Sequence, residues 1–290
     1  MRSLLLLSLL LSQSLSADDD LFTMWQIEGA SNSIYLLGSV HLLRASDHPL
    51  PAMIDVAYED AEVLVMEIDM DDIDPIQAQT LVSSLGVLGE GSSLEELMGA
   101  SAWQEALAAA EAIDIPLDLL NSSEPWLAAI TVEQMLLMRI GFNPSMGVEM
   151  HLVQRAANDN KDILGLETVE EQLRFLDNLS AEAQREMLLQ ALLESADIEA
   201  LMDELIDAWR NGDLEFMEDT ILADMQQYTE LHEVIVVERN RRWIAAINEY
   251  MTHDDDYLII VGALHLVGDD GVPSLLRQQG TRIRQLPKVP

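Results

Sequence analysis

Ile34-Tyr35-Leu36-Leu37-Gly38-Ser39-Val40-His41 is an apolar, β-favouring run that ends in Gly-x-x-His, and its reading decides the fold. Far downstream, Tyr257-Leu258-Ile259-Ile260-Val261-Gly262-Ala263-Leu264-His265 repeats the phrase. Each copy reads as a buried strand that delivers a glycine turn and then an imidazole at its carboxyl end. In open α/β sheets, ligands bind at that end of the strands. One Gly-x-x-His carries little information, because many strands end on glycine and a lone histidine beside a core is usually a hydrogen-bonded structural residue. Two copies on matching strands point to a pair of imidazoles facing each other across one sheet edge, a common way to build a metal site.

The segments around these strands extend the pattern. Residues 22–27 and 34–37 read as a β-hairpin, with turn chemistry between them at 28–33. Leu50-Pro51 opens a helix that places Met53, Ile54, Ala57, Tyr58 and Ala61 on one face, and Val63-Leu64-Val65-Met66 is then a short apolar strand ending on Glu67. Strand, helix, strand in this order forms a right-handed βαβ unit, which makes the strands parallel and puts His41 and Glu67 at the same end of the sheet. An acid beside a buried strand has to be paired, protonated or metal-bound. Residues 162–166 repeat this arrangement, a strand ending on Glu167, and Thr168 with Glu171 then makes a helix-opening capping box. Residues 75–139, 146–158 and 168–251 carry helical spacing, and 282–286 reads as a last strand. The fold predicted is α/β: a central mixed, largely parallel sheet built from both chain ends, with large helical insertions at about 75–145 and 168–252. No low-complexity linker divides residues 18–290, so they form a single domain.

Composition narrows the function. Arg2, the apolar run 4–11 and the small residues Ser14, Ser16 and Ala17 have the form of a secretory leader, residues 1–17, too short to span a bilayer as a mature helix. The expectation is a periplasmic or secreted protein with no integral membrane segment after leader removal. The absence of cysteine excludes a disulfide framework, a cysteine nucleophile and a thiolate metal site. The formal charge is −37, from 52 acids against 15 Lys and Arg, a surface that repels phosphate backbones and so excludes nucleic acid as a partner. Oligomeric state has no signature in the sequence.

Four strand ends thus deliver His41, Glu67, Glu167 and His265. Two imidazoles and two carboxylates suit a divalent ion such as Zn, Mn or Co, which acidifies bound water and polarises a carbonyl. A carboxylate outside the ligand set serves as general base, and the residues leave open which acid has which task. Arg239, in the cluster Glu238-Arg239-Asn240-Arg241-Arg242, is read either as a clamp and partner for Glu67 or Glu167 or as a plain salt bridge, and Glu149 as an outer group. His48 is a loop histidine near the first motif, and His151, His232 and His253 read as ordinary helix or surface residues.

Trp25, the two motif strands, Pro49-Leu50-Pro51, Glu67-Ile68-Asp69, Gly147-Val148-Glu149, Gly165-Leu166-Glu167-Thr168, Glu171-Gln172 and Arg239-Asn240 together resemble the TraB/PrgY/GumN family, whose wider group includes the Tiki metalloproteases. The resemblance covers nearly all of the mature chain. It implies a metal-dependent peptidase or related hydrolase, with manganese or cobalt as fitting metals, a peptide or protein substrate, and the motif histidines with Glu67 as its centre. Two other functions compete on the same scaffold: a peptide-binding or regulatory protein without turnover, and an ester or lactone hydrolase.

Overall fold

The computed structural model describes residues 21–28, 31–193 and 198–289, so the leader lies outside the described residues. Six strands make one mixed sheet: β1 (Leu21–Glu28), β2 (Ile34–Ser39), β3 (Val63–Ile68), β4 (Asp162–Glu167), β5 (Tyr257–Gly262) and β6 (Arg282–Pro287), in spatial order β4-β3-β5-β2-β1-β6. Four neighbours, β4, β3, β5 and β2, run parallel, while β1 is antiparallel to both β2 and β6. The sheet is therefore drawn from both chain ends, as the sequence predicts.

The period of two in the central strands sends neighbouring side chains to opposite faces. Leu37, Leu64, Leu258 and Ile260 enter one core, and Leu36, Val65, Ile259 and Val261 enter the other. Both faces are covered, which is why these strands are continuously apolar rather than alternating. The βαβ reading of β2 and β3 holds for direction, but the two are not neighbours: β5, from the far end of the chain, pairs with both. That central place needs a strand with two ladder edges and two buried faces, and β5 is buried along five of its six residues.

The helical regions build a third core away from the sheet. Leu94, Trp103, Ala106, Val132 and Leu136 from the first region pack with Leu188 and Leu192 from the second. The two regions thus brace each other. Within the second, Met217–Leu222 and Glu233–Val237 are π-helical turns, a rare geometry that concentrates at functional sites.

Candidate functional site

The first motif histidine is placed by two close approaches. Val148 N–H donates to Val40 O at 3.1 Å, which starts the helix Val148–Asp159 directly against the loop that follows β2. A Cβ on Gly147 would stand 2.0 Å from His41 O, so only glycine admits this contact. The approach brings Glu149, in the first helical turn, beside His41: Glu149 Oε1 lies 2.7 Å from His41 Nδ1 and also accepts from Ser39 Oγ. Glu149 charge and hydrogen bonding raise the His41 imidazole from 6.5 to about 9, against a smaller opposing effect of burial. His41 nonetheless keeps 56% of its side chain exposed, with Nε2 free of these bonds.

The second motif histidine has the opposite surroundings. The β2–β5 register pairs Ser39 with Gly262, so the two motifs are out of step by one residue, and His265 sits in the short 3-10 turn Ala263–Leu266. His265 is buried, and its ring lies 4.5 Å from that of Trp243. Asn240 Nδ2 donates to the carbonyls of His265 at 3.3 Å and Asp270 at 2.9 Å, which leaves Asn240 Oδ1 as the acceptor for His265 Nδ1 at 2.7 Å. Nδ1 therefore carries the proton and Nε2 a lone pair. Burial pushes the His265 imidazole down to about 3.

Between them lies Glu67, at the end of β3. Its Oε1 accepts from Gly262 N–H at 2.8 Å, and its Oε2 from Arg239 Nη2 at 2.5 Å and Gln172 Nε2 at 3.1 Å. Burial opposes its ionisation, yet the charge that His265 takes up in acid, the Arg239 and His41 cations and the Gly262 N–H hold the carboxyl down to about 2. Glu167, at the end of β4, is buried too, with both oxygens occupied: Arg239 Nε and Nη2 at 3.0 and 2.8 Å, Arg242 Nη2 at 2.8 Å and Gln172 at 3.3 Å. Arg239 also turns Nη1 to His265 Nε2 at 3.2 Å, and its guanidinium faces the Trp243 ring at 4.9 Å.

All four strand-end residues thus come together, with Arg239 at their centre. Gly262 marks the common point: a Cβ there would stand 3.3 Å from His41 Nε2, 3.4 Å from Glu67 Oε1 and 3.5 Å from His265 Cδ2. That space is a cradle which any side chain at this position would fill. Two imidazoles anchored through Nδ1, with a carboxylate oxygen between them, fit a divalent ion in donor chemistry and in outer hydrogen bonding. As placed, no group of three such side chains among the described residues closes to ligand distance, since Arg239 holds Glu67 Oε2 and His265 Nε2.

Other histidines lie apart from this cluster. His48 Nε2 meets Met146 O at 2.9 Å and lines a separate polar cleft with Arg44, Asp203 and Arg210; the His151 ring lies tilted beside it at 6.0 Å, and His253 bonds Tyr257 Oη. The sequence reading names Gln172 only within the family-like stretch Glu171-Gln172 and Arg242 only within the basic cluster, and gives neither a site role, although Gln172 bridges both acids and Arg242 bonds Glu167. The capping box at Thr168 and Glu171 was the available signal, because it fixes the start of the helix Val169–Asp177 and so places Gln172 one residue past the cap partner, beside the β4 end.

The chain belongs to the TraB/PrgY/gumN family, whose model matches residues 23–285. Among curated proteins it is similar to the uncharacterized protein YbaP of Escherichia coli (strain K12), 24% identical over 84% of this chain and 87% of that one, and equally to YbaP of Shigella flexneri. An uncharacterized protein of Treponema pallidum (strain Nichols) is 23% identical over 88% of this chain and 80% of its own length. No solved structure matches the chain.

Proposed function

We propose that this protein is a divalent-metal-dependent hydrolase acting on peptide bonds. The observation that carries the reading is the pair of motif imidazoles, each tied back through Nδ1 and both bordering the space around Gly262, His41 by Nε2 and His265 by Cδ2, with Glu67 ionised between them. His41 Nε2, His265 Nε2 and Glu67 Oε1 would hold the ion, which when bound supplies an acidified water and a polarised carbonyl. Glu149 and Asn240 fix the two rings. Glu167 holds Arg239 against Glu67, and Gln172 ties the two acids together, so both acids stay in register with the cleft.

A second reading, peptide binding without turnover, is favoured by one contact: Arg239 Nη1 occupies the Nε2 lone pair of His265. Metal content separates the two. Elemental analysis of purified protein, followed by a peptide-library digest with and without added Mn, Co or Zn, should find bound metal and metal-dependent cleavage. Replacement of His41 or His265 by Ala should remove both and leave the far-ultraviolet helix signal in place, because the fold rests on its cores. Metal-free protein that binds peptides unchanged would establish the second reading instead.

Export through the leader is part of the same proposal and predicts a mature amino terminus at Ala17 or Asp18. No helix among the described residues is long and apolar enough to cross a membrane. Intact-mass measurement of protein recovered from outside the cytoplasm decides the point, and a retained 4–11 segment would overturn it.

A further inference from the structure

The sheet has two edges, and they are guarded unequally. β6 carries Arg282 and Arg284, ends on Pro287, and shifts register with β1 between Leu21 and Trp25. Charges, proline and register breaks of this kind keep an edge from pairing with another chain. β4 has none of them along Ile163-Leu164-Gly165-Leu166, and it keeps one register with β3 from Asp162 to Glu167. Among the described residues, no main-chain bond outside the β3 ladder reaches this stretch. Leu164 is 38% exposed, and Gly165 is exposed as well. We propose that β4 takes an extended, basic segment of a partner protein as an added strand. The surface is the outer side of β4 and not the cluster at its end, so it goes beyond the hydrolase reading and stands whether or not the protein is a hydrolase.

The chemistry of the partner follows from what borders the edge. In strand addition the main-chain ladder supplies attachment, and side chains that alternate along it supply selectivity. Asp162, Leu164 and Leu166 stand on one face of β4, and Ile163 and Gly165 on the other. The loop after β3 folds over the Gly165 face, where a Cβ on Gly165 would stand 2.6 Å from Asp69 N. That loop reads Asp69-Met70-Asp71-Asp72-Ile73-Asp74, without a Lys or Arg, and Asp71 and Asp72 are exposed. The charged groups acting on the Asp69 carboxylate are those of Asp71 and Asp72, and Asp69 Oδ1 is covered without a hydrogen-bond partner. These acids are uncompensated, and a Lys or Arg on the Gly165 side of an incoming strand neutralises them. The alternate residues of that strand lie against Leu164 and Leu166, which favours apolar side chains there. The segment that fits therefore alternates basic and apolar residues. A second copy of this chain fits poorly, because two-fold pairing of β4 with itself brings two such acidic loops together in a chain of formal charge −37.

The test uses the whole protein and a fluorescein-labelled peptide of about eight residues, alternating Lys and Val, the length of an ordinary strand. Anisotropy should show binding, and a photoreactive group in the peptide should cross-link to residues 162–166 or 69–74. N-methylation of the peptide's main-chain amides keeps its charge and removes the ladder, so binding should weaken by at least about tenfold. Equal binding of the methylated peptide, or cross-links confined to other segments, leaves only general attraction to an acidic surface and overturns the proposal. The Asp71→Asn/Asp72→Asn variant should bind the peptide about fivefold more weakly. Glu111→Gln/Asp118→Asn, which removes the same charge from the first helical region, should change binding by less than about twofold. Circular dichroism checks that both variants are folded, and equal weakening by both counts against the loop and overturns the proposal. In sedimentation velocity the protein alone should remain a monomer across a wide concentration range. A dimer that Leu164→Lys disperses would show that the edge serves a second copy instead.

Discussion

His41 and His265 end the same short phrase on adjacent parallel strands, and they are chemically opposite. The first is half open to solvent with a carboxylate behind its Nδ1; the second is buried with an amide in that place. One is raised to about 9 and the other is lowered to about 3. The motif therefore delivers a ring to a location, and the helix behind each ring decides what the ring does. Glu149 arrives on the helix that follows the first helical region, Asn240 on the helix Glu238–Tyr250, and neither is part of the repeat.

Arg239 is the cation that touches both buried acids, Glu67 and Glu167, and His265 as well, so its removal should have the largest effect. Arg239→Met leaves Glu67 and Glu167 buried without their main cation, and breaking a buried pair in this way costs about 3–5 kcal/mol. Urea denaturation should show a drop of that order. A loss below about 1 kcal/mol would mean that Arg242 and solvent take over, and that the buried half is less buried than the geometry indicates.

Exchanging the groups behind the rings tests the comparison directly. In Glu149→Gln the largest influence on His41 is gone, and burial and Arg239, which lower it, are opposed only by Glu67, so its pKa should fall well below about 9. In Asn240→Asp, the new carboxylate beside Nδ1 should raise His265 from about 3 by more than about one pKa unit. Imidazole NMR titration reads both. An unchanged His41 in Glu149→Gln would show that the carboxylate is not the source of its basicity.

The same asymmetry sets how stability follows pH. A proton on His41 is held more tightly in the folded protein, so its contribution is full below 6.5 and is lost as pH rises through about 9. His265 works in the reverse sense: the unfolded chain takes up its proton first, and stability falls as pH drops from 6.5 toward about 3. Glu67 adds a further acid limb, present above 4.5 and lost as pH falls to about 2. Denaturation midpoints measured across pH should show both limbs, and Glu149→Gln should flatten the alkaline one while only trimming the acid one, to which the lowered Glu149 carboxyl itself contributes beside Glu67 and His265.

Much of this was legible in the sequence because it depends on short-range pattern. Apolar runs ending at Gly38, Glu67, Glu167 and Gly262 marked the strands and put four functional side chains at one sheet end. The order of the strands was not legible, because β2, β3 and β5 have similar apolar faces and only packing selects β5 for the centre. The one-residue offset between the motifs depends on ladder register, which identical phrases cannot reveal. Arg239 was open between a site role and a plain ion pair, since the three acceptors it bridges come from β3, β4 and the turn after β5, joined only in the folded sheet. The π-helical turns escaped for a related reason: their apolar spacing is compatible with ordinary helix.

Salt should separate the two imidazoles by the smallest but most selective effect. The chain carries 52 acids against 15 Lys and Arg, so its surface repels itself at low ionic strength, whereas Glu67, Glu149 and Glu167 in the site are matched by Arg239, Arg242 and the His41 cation. Salt screens exposed charges beyond about 10 Å at 0.1 M and reaches buried pairs far less. The thermal midpoint should therefore rise from low to moderate salt, as surface repulsion is relieved. Over the same range the open His41 should lose part of its raised basicity, because the surrounding acids that favour its proton are screened, while His265, enclosed by Trp243, Asn240 and Arg239, should hold its value. Parallel NMR titrations at two salt concentrations read both rings in one sample. If the two shift together, the field of the whole acidic surface governs the site, and the contrast between a carboxylate-backed and an amide-backed histidine is secondary to it.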